Sequence, residues 1–204
     1  MNSYKISNKG TVTLFNNRFI EALSRTHFLT PIILYVMMAS AIIFYNLNFN
    51  FPTSWRMIYM IPFGIFSFSF VEYLIHRFIF HFQAKTETQQ ELKYKIHGVH
   101  HEYPRDKDRL AMPPVFSICI AIIFYAFFKL VLGNLALLFF PGFLLGYCIY
   151  LLIHYAVHRF HPPKNFLKIL WTHHALHHYK DDHNYFGVSV PLWDYIFGTI
   201  PPGK

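Results

Sequence analysis

Ten histidines stand in four short stretches of this chain at spacings that suit metal ligation: His76 and His81; His97, His100 and His101; His154 and His158; His174, His177 and His178. Imidazole is the commonest protein metal ligand, and it binds metal in the neutral form available at neutral pH. His97-x-x-His100-His101 and His174-x-x-His177-His178 repeat one pattern, i, i+3 and i+4, which on a helix predicts a shared face. His154 and His158 are one turn apart. His76 and His81 are five apart and diverge by about 140° on an ideal α-helix, so they converge only if the helix bends, ends or bulges between them. A mononuclear zinc site takes three or four protein ligands. Ten imidazoles exceed one ion and suit two, with about five each.

Of the other histidines, His161 and His173 are candidates to hold ligand rings in place, and His27 and His183 read as structural. Glu72 lies one turn before His76 in an apolar segment, where an ionisable group is a functional candidate by default. The expectation is that it accepts a hydrogen bond from a ligand imidazole.

These side chains need a scaffold, and the composition says which kind. Of 204 residues 54% are hydrophobic, 20% aromatic and only 14% charged, which is wrong for an ordinary soluble domain. Four apolar stretches, about 28–47, 57–75, 114–132 and 135–153, each have the length needed to cross a hydrocarbon core of about 30 Å. The sequence therefore predicts an all-α integral membrane protein of one domain, 1–204. It has four transmembrane helices and a cytoplasmic helical cap, 76–113 and 154–204, holding a histidine-rich dimetal site. Residues 1–27 carry no pattern of a cleavable leader and read as a segment lying on the membrane surface. Gly142 and Gly146 form a G-x-x-x-G pair that suits a close helix approach. Cys119 and Cys148 read as packing residues rather than a disulfide.

The formal charge of +8 is a topology signal rather than a nucleic-acid footprint. Sixteen of the 18 Lys and Arg fall in 1–27, 76–113 and 154–204, leaving only Arg56 and Lys129 towards the opposite face. By the positive-inside rule both termini and the metal site face the cytoplasm, with anionic headgroups as neighbours.

The residues from Glu72-Tyr-Leu-Ile-His76-Arg77 to His81, the later histidine boxes, and Trp193-Asp194 with Phe197-Gly198-Thr199 resemble the membrane fatty acid hydroxylase superfamily. The stretch from His97-Gly98-Val-His100-His101 through Pro104, Asp106, Arg109 and Leu110 to Pro113-Pro114 is similar to its fatty acid 2-hydroxylase branch. The resemblance covers about residues 55–200, and the family's ligands fall on the same ten histidines. Arg159 stands where relatives often have another histidine. The resemblance implies two iron ions and an O2-dependent monooxygenase acting on a fatty acyl chain, at carbon 2 of a free fatty acid or sphingolipid. With no haem-binding His-Pro-Gly-Gly in the chain, it also implies a separate electron-transfer protein, cytochrome b5-like or ferredoxin-like. Zinc can replace iron in a purified preparation, since nitrogen ligands bind it more tightly than ferrous iron. Tyr103, Arg105, Arg109, Tyr179 and Lys180 adjoin the ligands and are the candidates for a substrate headgroup. A sterol or carotenoid hydroxylase or desaturase shares the site. A metal transporter fits less well because transporters place ligands near the bilayer midplane, and a bis-histidine haem protein has no use for so many imidazoles.

Overall fold

The computed structural model describes residues 5–49 and 54–201, and within them every regular element is helical. Three helical runs are long and apolar enough to cross a membrane: Leu29–Phe49, Met57–Phe80 and Pro114–Arg159. The first is α2. The second is α3 (Met57–Leu74) continued by a π-helical turn, Ile75–Phe80. The third comprises α6 (Pro114–Leu132), a short 3-10 turn at Gly133–Leu135, and α7 (Ala136–Arg159). The chain folds back at that turn, so Phe128 of α6 lies against Phe139 and Phe143 of α7, with ring centroids 4.7 and 4.9 Å apart. The outward faces are apolar: Leu130 is 86% exposed, Ile58 80% and Met37 66%. A water-soluble protein does not present such residues in continuous bands. This is an integral membrane protein.

Helix α7 is the hub. It is buried along Leu138–Leu144 and packs against α2, α3 and α6 around Tyr35, Ala39, Phe128, Phe139 and Phe143. Glycines make the α3–α7 seam possible. A Cβ on Gly142 would stand 2.0 Å from the Ile61 carbonyl oxygen, and one on Gly64 would stand 2.4 Å from the Phe139 carbonyl oxygen. Backbone meets backbone there, the close approach that small residues permit in membranes. Between α2 and α7, buried Asn46 donates to the Ile42 and Leu137 carbonyls at 2.9 and 3.1 Å.

The elements at the histidine end are short: α4 (Glu87–Lys93), a second π-helical turn (Tyr94–Gly98), α5 (Val99–Glu102), α8 (Lys168–Tyr179) and α9 (Leu192–Ile196). Thr86 caps α4 by accepting from the Gln89 amide, the usual device for satisfying a free helix N-terminus. The N-terminal segment carries α1 (Arg18–Ser24), capped by Asn17, with Phe19, Ile20 and Leu23 turned outward. Glu21 staples this segment down, accepting from the Leu14 and Phe15 amides, from Arg25 and, at 2.5 Å, from Arg109.

The apolar stretches 28–47, 57–75, 114–132 and 135–153 lie largely on helices, two of which run on past them. The second run continues to Phe80 and α7 to Arg159, so His76, His154 and His158 sit on the long helices rather than in a separate cap. Both cysteines are free. Residues 50–53, between the first two long helices, and the chain ends 1–4 and 202–204 lie outside the described residues.

Candidate metal centre

The π-helical turn resolves the awkward five-residue spacing. Its defining bond runs from the His81 amide to the His76 carbonyl (3.1 Å), and i→i+5 bonding widens the turn so that the fifth residue returns to nearly the same face. The His76 and His81 rings consequently lie 5.0 Å apart.

The ten imidazoles gather into two groups of five. His76, His81, His97, His101 and His177 form the first, and His100, His154, His158, His174 and His178 the second; within each, one nitrogen per ring lies within 4.8 Å of the others. All ten are buried. Each H-x-x-H-H motif is divided between the groups. His97 and His101 serve the first while His100 serves the second, and His174 and His178 serve the second while His177 serves the first. Within each trio the i, i+4 pair serves one group and the third ring the other. The His101 and His178 rings stack across the divide at 4.1 Å.

The donor set fits metal. Nitrogen pairs approach closely: His76 Nε2 and His97 Nε2 at 3.1 Å, His177 Nε2 and His81 Nε2 at 3.1 Å, His158 Nε2 and His100 Nε2 at 3.1 Å, and His174 Nε2 and His158 Nε2 at 2.7 Å. Two nitrogens bound to one ion at about 2.1 Å and a right angle apart stand about 3.0 Å from each other. Both ring nitrogens of His154 are buried without a hydrogen-bond partner among the described residues, a costly arrangement unless something coordinates them. Burial, followed by repulsion from neighbouring rings, drives His97, His101, His174, His177 and His178 far below the ordinary imidazole range, and His100 down to about 3. The rings are thus held neutral, the form that ligates.

Glu72 is buried but does not reach an imidazole. It accepts from the Val188 amide (2.7 Å), the Ser189 amide (3.3 Å) and the Ser189 hydroxyl, because the loop before α9 folds across this face of α3. The His76 Nδ1 atom pairs instead with the Phe186 carbonyl at 2.5 Å, and His177 Nδ1 with the Asn184 carbonyl at 2.7 Å. Of the other candidates, His173 is buried beside Tyr185, ring centroids 5.4 Å apart, and joins neither group. His161 is exposed and lines a cavity of about 220 Å³ with Arg105, Trp171 and Tyr179, whose wall includes His158 and His174 of the second group. Arg109 is not at a rim: its side chain is only 2% exposed and its guanidinium is engaged by Glu21, Ser24 and the Val12 carbonyl. The ring of Tyr103 lies beside Gly10 of the N-terminal segment, and Lys180 is exposed just past α8. Sequence reasoning gave no role to Asp194, which is fully buried and receives the Phe186 and Gly187 amides. It also missed the two loop carbonyls, which no side-chain pattern encodes.

Comparison with known proteins follows the same residues. A family model for fatty acid hydroxylase matches residues 61–199. Human fatty acid 2-hydroxylase is 35% identical over 214 residues, covering 95% of this chain and 58% of the relative. The ceramide very long chain fatty acid hydroxylase scs7 of Schizosaccharomyces pombe is 35% identical over 197 residues, covering 95% of this chain and 56% of the relative. The dihydroceramide fatty acyl 2-hydroxylase FAH2 of Arabidopsis thaliana is 30% identical over 194 residues, covering 92% and 79%. The solved structure of full-length scs7p, in which only the hydroxylase domain is visible, aligns with a TM-score of 0.84 at 31% identity, over 96% of this chain and 75% of that one. The chain spans 58% of the human relative's length.

Proposed function

We propose, from the premise that the chain belongs to the fatty acid hydroxylase family, that it is a membrane di-iron oxygenase hydroxylating a fatty acyl chain at carbon 2. The observation that carries this reading is the pair of five-imidazole groups, all buried, at one end of a bundle of apolar helices. His76, His81, His97, His101 and His177 would hold one ion, and His100, His154, His158, His174 and His178 the other. Imidazole suits iron, and breaking an unactivated C–H bond needs redox chemistry that side chains lack. A bound iron pair supplies the activation of dioxygen, so that R–H, O2, two electrons and two protons yield R–OH and water, the electrons coming from an electron-transfer protein.

The chain's own residues bind, orient and exclude. The bundle keeps the ligands dry, and the loop carbonyls of Asn184 and Phe186 fix two of the rings. In this reading residues 1–204 are one hydroxylase domain with four spans, α6 and α7 being a hairpin that crosses twice. The short elements form a cap on the cytoplasmic side, where the Lys and Arg excess also lies. The exposed face of α1 rests in the membrane surface. Arg105 and Tyr179 line the cavity beside His158 and His174, which favours them as the residues meeting the headgroup of a fatty acid or sphingolipid. Arg109 serves the N-terminal staple instead.

The test is lipid mass spectrometry of cells expressing the wild type or His100→Ala. Acyl chains that gain one oxygen at carbon 2 are expected only with the wild type. Equal product in both, or none in either with iron loaded, overturns the reading.

A further inference from the structure

Two carboxylates outside the histidine groups act on one short stretch of backbone, residues 184–189. This stretch supplies the carbonyls of Asn184 and Phe186 that meet His177 Nδ1 and His76 Nδ1. It is fixed from both sides. Asp194 accepts from the Phe186 amide at 2.8 Å, the Gly187 amide at 2.7 Å and the Thr199 hydroxyl at 2.6 Å. Glu72 takes the Val188 and Ser189 amides. Tyr73 extends the network, its hydroxyl 3.1 Å from Thr199 Oγ1. A Cβ on Gly187 would stand 2.8 Å from Asp194 Oδ2 and 2.4 Å from the Val190 carbonyl oxygen, so the loop closes directly onto the carboxylate. Tyr185 is held at a φ of 61°, a region that costs a non-glycine residue, with its amide tied to the Thr199 carbonyl at 3.0 Å.

Both rings held by this loop belong to the first group. A carbonyl on Nδ1 places the proton there, leaves the Nε2 lone pair for an ion, and makes the ring a better donor. The Nε2 atoms of His76 and His177 indeed face His97 and His81 at 3.1 Å. In the second group the Nδ1 atoms of His100, His154 and His174 are buried with no hydrogen-bond partner among the described residues, as is that of His81 in the first, so the two loop carbonyls are what sets the first group apart.

We infer that the 184–189 loop, held by Asp194 and Glu72, makes the two ion sites unequal, the His76–His177 site being preorganised and binding its ion more tightly than the His154–His174 site. Asp194 and Glu72 are positioning residues that act through the loop carbonyls. The inference rests on the reading of both groups as ion sites.

Zinc competition against a chromophoric chelator, with the full chain in detergent micelles, tests it. The wild type should bind two equivalents in two resolved steps. Asp194→Asn sets an amide NH2 against a backbone N–H donor. It should weaken the tighter step by about ten- to a hundredfold, the usual cost of losing such outer support, while the weaker step shifts much less. Glu72→Gln perturbs the other end of the loop and should act on the same step; it serves where Asp194→Asn fails to fold. His154→Ala should remove the weaker step and leave the tighter one. A wild type that binds no zinc overturns the ion-site reading and this inference together. Two equal steps, equal weakening of both by Asp194→Asn and Glu72→Gln, or loss of the tighter step in His154→Ala overturns the inference alone.

Discussion

The α3–α7 seam gives a sharp mutational test. Gly142→Ala puts a methyl group 2.0 Å from the Ile61 carbonyl oxygen and 2.8 Å from two further backbone atoms of Ile61. No side chain rotation relieves a clash between a Cβ and backbone, so the helices themselves must part, by about 1.4 Å to reach contact near 3.4 Å. Overpacking of this kind costs about 1–3 kcal/mol. At about 2–4 °C per kcal/mol for a chain of this size, the thermal midpoint in micelles should fall by roughly 2–12 °C. The two helices carry His76 and His154, and metal sites tolerate displacements of only about 0.2 Å, so ion affinity should fall as well. Gly64→Ala strikes the same seam from the other side, 2.4 Å from the Phe139 carbonyl oxygen. Once the helices have separated for one methyl, the second has room, and the double variant should lose less than the sum of the singles. Leu130→Ala, on an outward face, is the control and should leave the midpoint in place. A Gly142→Ala midpoint within a degree of wild type, or strict additivity with Gly64→Ala, would refute the reasoning.

Three further outcomes follow from the same contacts. Chelation should lower the thermal midpoint: an ion at a hundredfold its dissociation constant stabilises the folded state by about 2.7 kcal/mol, and an unchanged midpoint in chelator would count against both ion sites. In chelated protein, stability should fall as pH drops from about 6.5 towards 3. The unfolded chain takes up protons on its imidazoles across that window, whereas burial keeps rings such as His100, with a value of about 3, from doing so; each contributes about 1.4 kcal/mol per pH unit, and a flat midpoint between pH 7 and 5 would contradict this. The Glu21 carboxyl is pushed up by burial but pulled down overall by Arg25, the Leu14 and Phe15 amides and Arg109. Its hold on the N-terminal segment should therefore survive until pH falls below the ordinary carboxylate range, and Glu21→Gln should speed tryptic cleavage at Arg18 and Arg25 at neutral pH.

Much of this was legible in the residues. Apolar length fixes the long helices because a hydrocarbon core demands about 20 residues, and the ten histidines announce themselves by type and spacing. Which ring serves which group was not legible. Both trios divide alike, one beside a π-helical turn and the other, His174, His177 and His178, inside the regular helix α8, so local spacing does not encode the assignment. Glu72 was singled out correctly as unusual but given the wrong partner, since the amides it binds lie 116 and 117 positions away. Arg109 was misread because proximity to the histidine boxes in sequence says nothing of Glu21, 88 positions earlier. The supports for His76 and His177 are main-chain carbonyls, which any residue type can supply.

The widened turn at Ile75–Phe80 has an implication for how such chains tolerate insertion and deletion. Removing one residue between His76 and His81 would leave a pair four apart, which an ordinary α-helical turn also places on one side. Azimuth is therefore the strict requirement there and count the lenient one, so homologous boxes that differ by one position can present equivalent rings. His154 and His158 need no such device: they stand in regular α-helix close to its end at Arg159, where a spacing of four already brings both rings to one side.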